Sequence, residues 1–316
     1  AFAIPILHIL HSKINTKRED GIKCIVMVPT RELAIQIHEV FQILGKNTRV
    51  QAFSVFGGVE QGPQIAKLEK GIDILITTPG RLFDLRHQGF IKLNRVEMLV
   101  LDEADHMLDL GFIKDIRDLI QYLPRKRQTL FFSATIDDEI KDLAYSLVKN
   151  PVRIQVSPKD PVSKNVDHSV VFVAMDDKRF FLERLVKENP ESKILVFVRT
   201  KVRCERVQAA MDRVGVSSVF MHGGKDQQDR MDVLNTFKLG NVKMLIATDV
   251  SARGIDIPDV DFVVNYDLPE HPENYVHRVG RTGRGRKKGL AYAFCDDAER
   301  DLLKAIEDYI SKPVKI

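Results

Sequence analysis

In VEMLVLDEADHML, residues 96 to 108, an apolar run from Val96 to Leu101 breaks abruptly into Asp102, Glu103, Ala104 and Asp105. Carboxylates packed this closely are often no more than a solvated turn. Here they follow a run whose length suits a central strand, and doubly wound sheets collect their ligands outside the carboxyl ends of strands. A strand ending in Asp-Glu suits a magnesium site in phosphoryl transfer, because Mg²⁺ keeps most of its waters and takes only one or two carboxylates plus phosphate oxygens. On that reading Asp102 orients the hydrated ion and Glu103 polarises the water that attacks phosphorus, in a chemistry that is mostly positioning and charge neutralisation.

The complementary charge lies far down the chain in HRVGRTGRGRKK, residues 277 to 288. Arg281 and Arg284 are three apart, so on a helix they would point the same way and reach one anion together. Guanidinium forks suit the spread charge of a transferring phosphoryl group, and such fingers are typically worth ~10³ to 10⁵ in rate. The competing reading of this run is a solvated basic face or an unspecific nucleic-acid patch, which is the expectation for Arg286, Lys287 and Lys288.

These groups must be positioned by a scaffold, and the rest of the sequence describes one. At roughly 150 residues per domain, 316 residues suggest two domains,. Short apolar runs alternate with amphipathic stretches: KCIVMVP, then RELAIQIHEVFQIL; VQAFSVFGG, then QIAKLEK; DILITT, then PGRLFDLRHQG; VEMLVL, then FIKDIRDLIQYL; QTLFFS, then DDEIKDLAYSLVK. Strands separated by helices imply right-handed crossovers and a parallel sheet. The periodicity lapses at VSPKDPVSKNV and restarts with HSVVFVAM, KILVFV, SSVFMHGG, KMLIAT, DFVVNY and GLAYAFC. The expected organisation is therefore an α/β chain with a first domain at 1–155, a linker at 156–166 and a second domain at 167–316,.

A net charge of only +4, with 44% hydrophobic and 29% charged residues, describes an ordinary globular protein whose nucleic-acid surface, if any, is local,. Cys24, Cys204 and Cys295 have no metal-ligand spacing and read as reduced core residues of a cytoplasmic protein,. No segment approaches the ~20 apolar residues of a bilayer crossing, so no membrane partner is expected. AFAIPILHIL reads as a helix rather than a signal-peptide core, since no basic segment precedes it,.

Together the motifs resemble those of the DEAD-box ATP-dependent RNA helicases, in the family's order and over nearly the whole chain. They are PTREL at 29–33, GG at 57–58, TPGR at 78–81, DEAD at 102–105, SAT at 133–135, VFVRT at 196–200, HGG at 222–224 with Gln227 and Arg230, TDVSARGIDIP at 248–258 and HRVGRTGR at 277–284. The resemblance implies two tandem RecA-like domains, each a parallel sheet flanked by helices. It implies ATP and Mg²⁺ as cofactors, with Asp102 at the metal, Glu103 activating water, Arg281 and Arg284 as fingers on the nucleotide, and Asp256 at its ribose. Ser133 and Thr135 would link hydrolysis to strand opening, tied through Asp105 and His277.

For RNA, the resemblance implies contacts from Thr30, Arg31, Gly58, Thr78, Gly80 and Arg81 in the first domain, and from Arg199, Thr200, Gly223, Arg230 and Thr248 in the second. The residue types agree, since glycine permits close approach while Thr hydroxyls and Arg forks bond to phosphate and sugar oxygens. Bland alternatives exist, with TPG as a helix start and GG as a turn. Such contacts carry little sequence information, and an aromatic content of 7% with no Trp leaves few stacking platforms for bases, so binding is expected to be sequence-independent,. The implied mechanism closes two domains on ATP and RNA, bends the strand and reopens on hydrolysis; the expected state is a monomer.

The family also carries a Gly-rich phosphate loop ending in Gly-Lys-Thr ahead of a helix like AFAIPIL, whereas this sequence begins at Ala1 and has no GxxxxGK[ST] downstream,. As written, the chain is expected to be a fragment that hydrolyses ATP poorly, with an unpaired strand edge in its first sheet. Two other classes stay open: a non-catalytic RNA-binding module, and a duplex-DNA translocase on a related motor, disfavoured by the spelling DEAD with SAT. The ending FCDDAERDLLKAI looks more like bacterial members of the family than eukaryotic ones.

Overall fold

The computed structural model describes all residues except 17–20, 136–137, 149, 156–161, 253–256, 258–259, 284 and 286. The chain separates into two compact units, with the division between Arg153 and Ile154. The first contains α1 (Ala3–Thr16), β1 (Cys24–Met27), α2 (Arg31–Gly45), β2 (Ala52–Val55), α3 (Gly62–Glu69), β3 (Ile74–Thr77), α4 (Pro79–His87), β4 (Met98–Leu101), α5 (Ala104–Asp109), α6 (Ile113–Tyr122), β5 (Gln128–Phe131) and α7 (Asp138–Leu147). Its sheet runs in the order β2-β3-β1-β4-β5, with every pairing parallel.

The continuous apolar runs have a simple cause. Each central strand is covered on both faces, so β1, β3 and β4 are buried at every position. Successive side chains alternate between two cores. Ile25, Met27, Leu75, Leu99 and Leu101 enter one, while Cys24, Val26, Ile74, Ile76, Met98 and Val100 enter the other. At the end of the described sheet, β5 is only half-buried.

The second unit contains β6 (Val166–Phe172), α8 (Lys178–Glu188), β7 (Ile194–Phe197), α9 (Lys201–Arg213), β8 (Ser218–Met221), α10 (Gln227–Lys238), β9 (Met244–Ala247), α11 (Asp249–Ala252), β10 (Phe262–Asn265), α12 (Pro272–Val279), β11 (Gly289–Cys295), a 3₁₀ turn (Asp297–Glu299) and α13 (Arg300–Ile310). Its parallel sheet has the order β6-β11-β10-β7-β9-β8. Central β7, β9 and β10 are buried throughout, whereas the edge strand β6 alternates between buried and exposed positions. Of the expected linker at 156–166, residues 156–161 lie outside the described residues, and Val166 already belongs to β6.

All three cysteines are buried and free, and burial pushes each thiol above its ordinary pKa. Among the described residues, no helix is long and apolar enough to cross a membrane.

Arg278 of α12 is 1% exposed and holds the second unit together at the carboxyl end of its sheet. Its Nε and Nη2 donate to the two carboxylate oxygens of Asp249 at 2.6 and 2.7 Å, and Nη1 donates to the Asn265 side chain and the Asp267 carbonyl. Breaking a buried, fully bonded ion pair from one side leaves the other charge uncompensated. Arg278→Met is therefore expected to lower the unfolding free energy by about 3–5 kcal/mol in urea denaturation.

Candidate nucleotide and RNA site

Three candidate RNA contacts begin helices for one physical reason. Thr30 caps α2, its hydroxyl accepting from Leu33 N–H at 3.3 Å, and Thr200 caps α9 in the same way from Arg203 N–H at 3.1 Å. Thr78 caps α4 with Pro79 in the first helical position, as TPG suggested, though without a side-chain cap bond. Each helix therefore presents its positive end at the carboxyl end of a strand, where an anion is favoured.

The strand order gathers the remaining candidates. Thr30 and Arg31 follow β1, Gly58 follows β2, and Thr78, Gly80 and Arg81 follow β3, so all six lie along the carboxyl rim of three neighbouring strands. In the second unit Arg199 and Thr200 follow β7, Gly223 follows β8, Thr248 follows β9, and Arg230 lies in the first turn of α10; again three neighbouring strands are involved. Gly58 has φ +76°, and a Cβ there would sit 2.0 Å from Nη1 of Arg31, so glycine both makes the turn and clears room for the guanidinium. Arg81 Nη2 donates to the Val59 carbonyl at 3.0 Å, which ties α4 to the glycine turn. Thr248 is fastened through Ser251, whose hydroxyl accepts from Thr248 N–H at 3.2 Å and donates to the Met221 carbonyl at 2.8 Å. His222 Nδ1 accepts from Gly224 N–H at 3.1 Å and shapes the turn at Gly223. Arg199 is more committed than its sequence suggested, since Nη2 donates to Glu299 at 2.9 Å and to the Leu268 carbonyl at 3.1 Å.

The acidic motif straddles a sharp reversal. Asp102 follows the buried end of β4, Glu103 takes a left-handed backbone with φ 51° and ψ 52°, and α5 begins at Ala104. This short helix was not legible as one, because six residues are too few to show a helical period,. It turns Asp105 back toward the end of β5. One oxygen of Asp105 accepts from the backbone N–H of Ala134 and of Thr135 at 3.1 Å each, and from the Thr135 hydroxyl at 3.2 Å. Ser133 Oγ donates to the Thr135 carbonyl at 2.7 Å. Three of the four expected coupling residues are thus bonded within one turn; His277 lies on α12 in the second unit.

Burial, reinforced by the neighbouring Glu103 carboxylate, pushes the Asp102 pKa up from 3.8 to about 6. A half-buried acid beside other acids suits a hard divalent cation that supplies the missing positive charge. Among the described residues there is no cluster of three or more His, Cys, Asp or Glu that could hold a metal by itself. One or two carboxylates at a strand end fit Mg²⁺, which draws its remaining ligands from water and phosphate. Glu103 Oε2 lies within hydrogen-bond distance of His106 Nδ1 at 3.3 Å, and His106 is 3% exposed; sequence reading passed over this residue although it stands next to the motif.

The arginine run differs from expectation. α12 ends at Val279, and Arg281 sits in the turn beyond it, with Nε donating to the His277 carbonyl at 3.2 Å. Gly280 caps the helix and Gly283 has φ +66°, so Arg281 is not carried on the helical face that the three-residue spacing had suggested. Arg284 and Asp256 lie outside the described residues. The arginine that the helix does carry inward is Arg278, which sequence reading left unassigned.

The sign of the Asp102 shift gives a test. Its folded pKa lies above its unfolded one, so ionised Asp102 costs stability above about pH 6, and the cost disappears as pH falls below about 4 where both states are protonated,. Without nucleotide or divalent cation, Asp102→Asn is expected to raise the unfolding free energy at pH 7 by about 1–3 kcal/mol, with the gain vanishing below about pH 3.

Comparison with known proteins agrees with this geometry. Residues 1–143 match the DEAD/DEAH box helicase model, and residues 177–286 match the helicase conserved C-terminal domain. The chain is 40% identical over 308 residues to the ATP-dependent RNA helicase RhlB of Shewanella amazonensis, covering 97% of this chain and 69% of that protein. It is also 40% identical over 302 residues to DEAD-box ATP-dependent RNA helicase 46 of Arabidopsis thaliana, covering 93% of this chain and 47% of that one. Among solved structures, S. cerevisiae Dbp5 bound to RNA and ADP BeF3 superposes with a TM-score of 0.84 at 30% identity, covering 98% of this chain and 82% of Dbp5. A DEAD box protein from Methanococcus jannaschii, 36% identical and covered at 99% and 83%, superposes with a TM-score of 0.55. With two RecA-like sheets, matching domain models in order and relatives at this identity over nearly its whole length, the chain belongs to the DEAD-box family of ATP-dependent RNA helicases.

Proposed function

We propose that this protein couples RNA-stimulated ATP hydrolysis to local unwinding of RNA duplexes or remodelling of RNA–protein complexes. The observation that carries the reading is the grip of Asp105 on residues 134 and 135, because it makes the acidic end of β4 and the turn after β5 a single unit. A change at the phosphate is then felt by the turn expected to report on the strand.

In this reading residues 1–155 bind ATP and residues 167–316 complete the motor. Asp102 holds Mg²⁺, which when bound neutralises charge on the nucleotide's phosphate oxygens. Glu103 takes a proton from the attacking water, and Arg281 meets the charge that develops on the transferring group. Arg284 and Asp256 enter by resemblance alone, as partners of the phosphates and the ribose. His277 completes the coupling group. RNA lies along the carboxyl rims through backbone and 2′-hydroxyl contacts, which distinguish RNA from DNA without reading sequence. The protein works as a cytoplasmic monomer.

The test is phosphate release from Mg²⁺-ATP by the intact protein with and without single-stranded RNA. RNA-stimulated release is expected, with little stimulation by DNA; RNA binding indifferent to ATP, with no release, would instead mark a non-catalytic RNA-binding module. Glu103→Gln should leave nucleotide and RNA binding near normal while slowing turnover by about 10²-fold or more, the scale of a lost general base. Gly58→Ala should weaken RNA binding without changing the KM for ATP, since it both strains a left-handed turn by about 1 kcal/mol and displaces Arg31.

A further inference from the structure

Outside the family motifs, the second unit contains a buried carboxylate with more cationic partners than it needs. Glu299, at the end of the 3₁₀ turn before α13, is 3% exposed, and Lys178, at the start of α8, is 0% exposed. Oε2 of Glu299 accepts from Lys178 Nζ, which also donates to the Tyr266 carbonyl at 2.8 Å. Oε1 accepts from Leu268 N–H at 3.1 Å and from Arg199 Nη2 at 2.9 Å. Lys178 already compensates the buried charge of Glu299. Arg199 adds a second cation that the pair does not require, and its side chain remains 35% exposed.

The surroundings of Arg199 also suit an anion. Its backbone N–H is fixed by Asp267 Oδ2 at 3.0 Å, and one guanidinium nitrogen is fixed by Glu299 and the Leu268 carbonyl. Its Nε faces the carboxylate of Glu270 at 3.9 Å, beyond hydrogen-bond range, and Glu270 is 66% exposed. The next residue, Thr200, caps α9, so the positive end of that helix opens at the same place,. One terminal nitrogen of the guanidinium is locked inward while a weakly held carboxylate stands near Nε.

We infer that Glu299 is a positioning residue for RNA: by holding Nη2 of Arg199 inward, it fixes the half-exposed guanidinium so that its remaining N–H groups meet a backbone phosphate, and it makes the start of α13 part of the RNA site. Glu270 occupies the approach and gives way to the phosphate. The inference rests on the RNA-binding reading above and deepens it, since it locates control of a rim contact in a helix 100 residues away in sequence.

A double-mutant cycle on the intact protein tests this, with affinity for a single-stranded RNA measured in the presence of a non-hydrolysable ATP analogue. Glu299→Gln should weaken RNA binding roughly tenfold, the scale of one charge-assisted hydrogen bond, and make the salt dependence shallower by about 0.7 in log–log slope. Arg199→Ala should do at least as much, and Glu299→Gln should add nothing in the Arg199→Ala background. Nucleotide affinity should stay unchanged throughout, while Glu270→Gln should tighten RNA binding. Lys178→Met with Glu299→Gln removes both buried charges, so it separates positioning from folding; it should fold and show the same loss. RNA affinity within twofold of the unsubstituted protein for Glu299→Gln, or full additivity with Arg199→Ala, overturns the inference alone. Failure of the unsubstituted protein to bind RNA overturns the RNA-binding reading and this inference with it.

Discussion

Burial of both faces of short parallel strands is the constraint on which the site depends. A strand of four residues covered above and below has little room for polar groups along its length, so polar chemistry is concentrated at its ends. Parallel pairing then brings those ends to one rim. Thr30 after β1, Gly58 after β2, Thr78 after β3 and Asp102 after β4 are neighbours for that reason, although 72 positions separate the first from the last. The same rule in the second sheet collects Arg199, Gly223 and Thr248.

On each rim, the buried and half-buried charges are held by specific partners. In the first unit Asp105 is spent on the turn at 133–135, while Asp102 is half-buried beside a second acid, which raises its pKa. In the second unit Asp249 is matched two-toothed by Arg278, and Glu299 is matched twice over by Lys178 and Arg199.

The buried pairs also explain why short motifs are rigid enough to work. Thr248 and Asp249 are adjacent, the former fastened through Ser251 to the end of β8 and the latter clamped by Arg278 to α12. The end of β9 is thus tied by side-chain bonds both to β8 and to α12.

The strands were readable because a strand buried on both faces must be an unbroken apolar run, and punctuation by Thr-Pro-Gly or Gly-Gly marked where each ended. Asp102 and Glu103 were readable for the same reason: acids directly after such a run can only lie at a strand end. The sequence could not show α5, which is shorter than two helical turns, nor that α12 ends at Val279, with Gly280 as its cap, before Arg281 is reached, since a spacing of three carries no record of whether the helix continues. Nor could it show the pairs Asp249–Arg278, 29 residues apart, or Lys178–Glu299, 121 apart. Local pattern by itself determined which residues form strands and which lie at their ends. Tertiary structure alone decided which charges are compensated and which are left for a ligand, because compensation depends on distances across crossovers that no local pattern encodes.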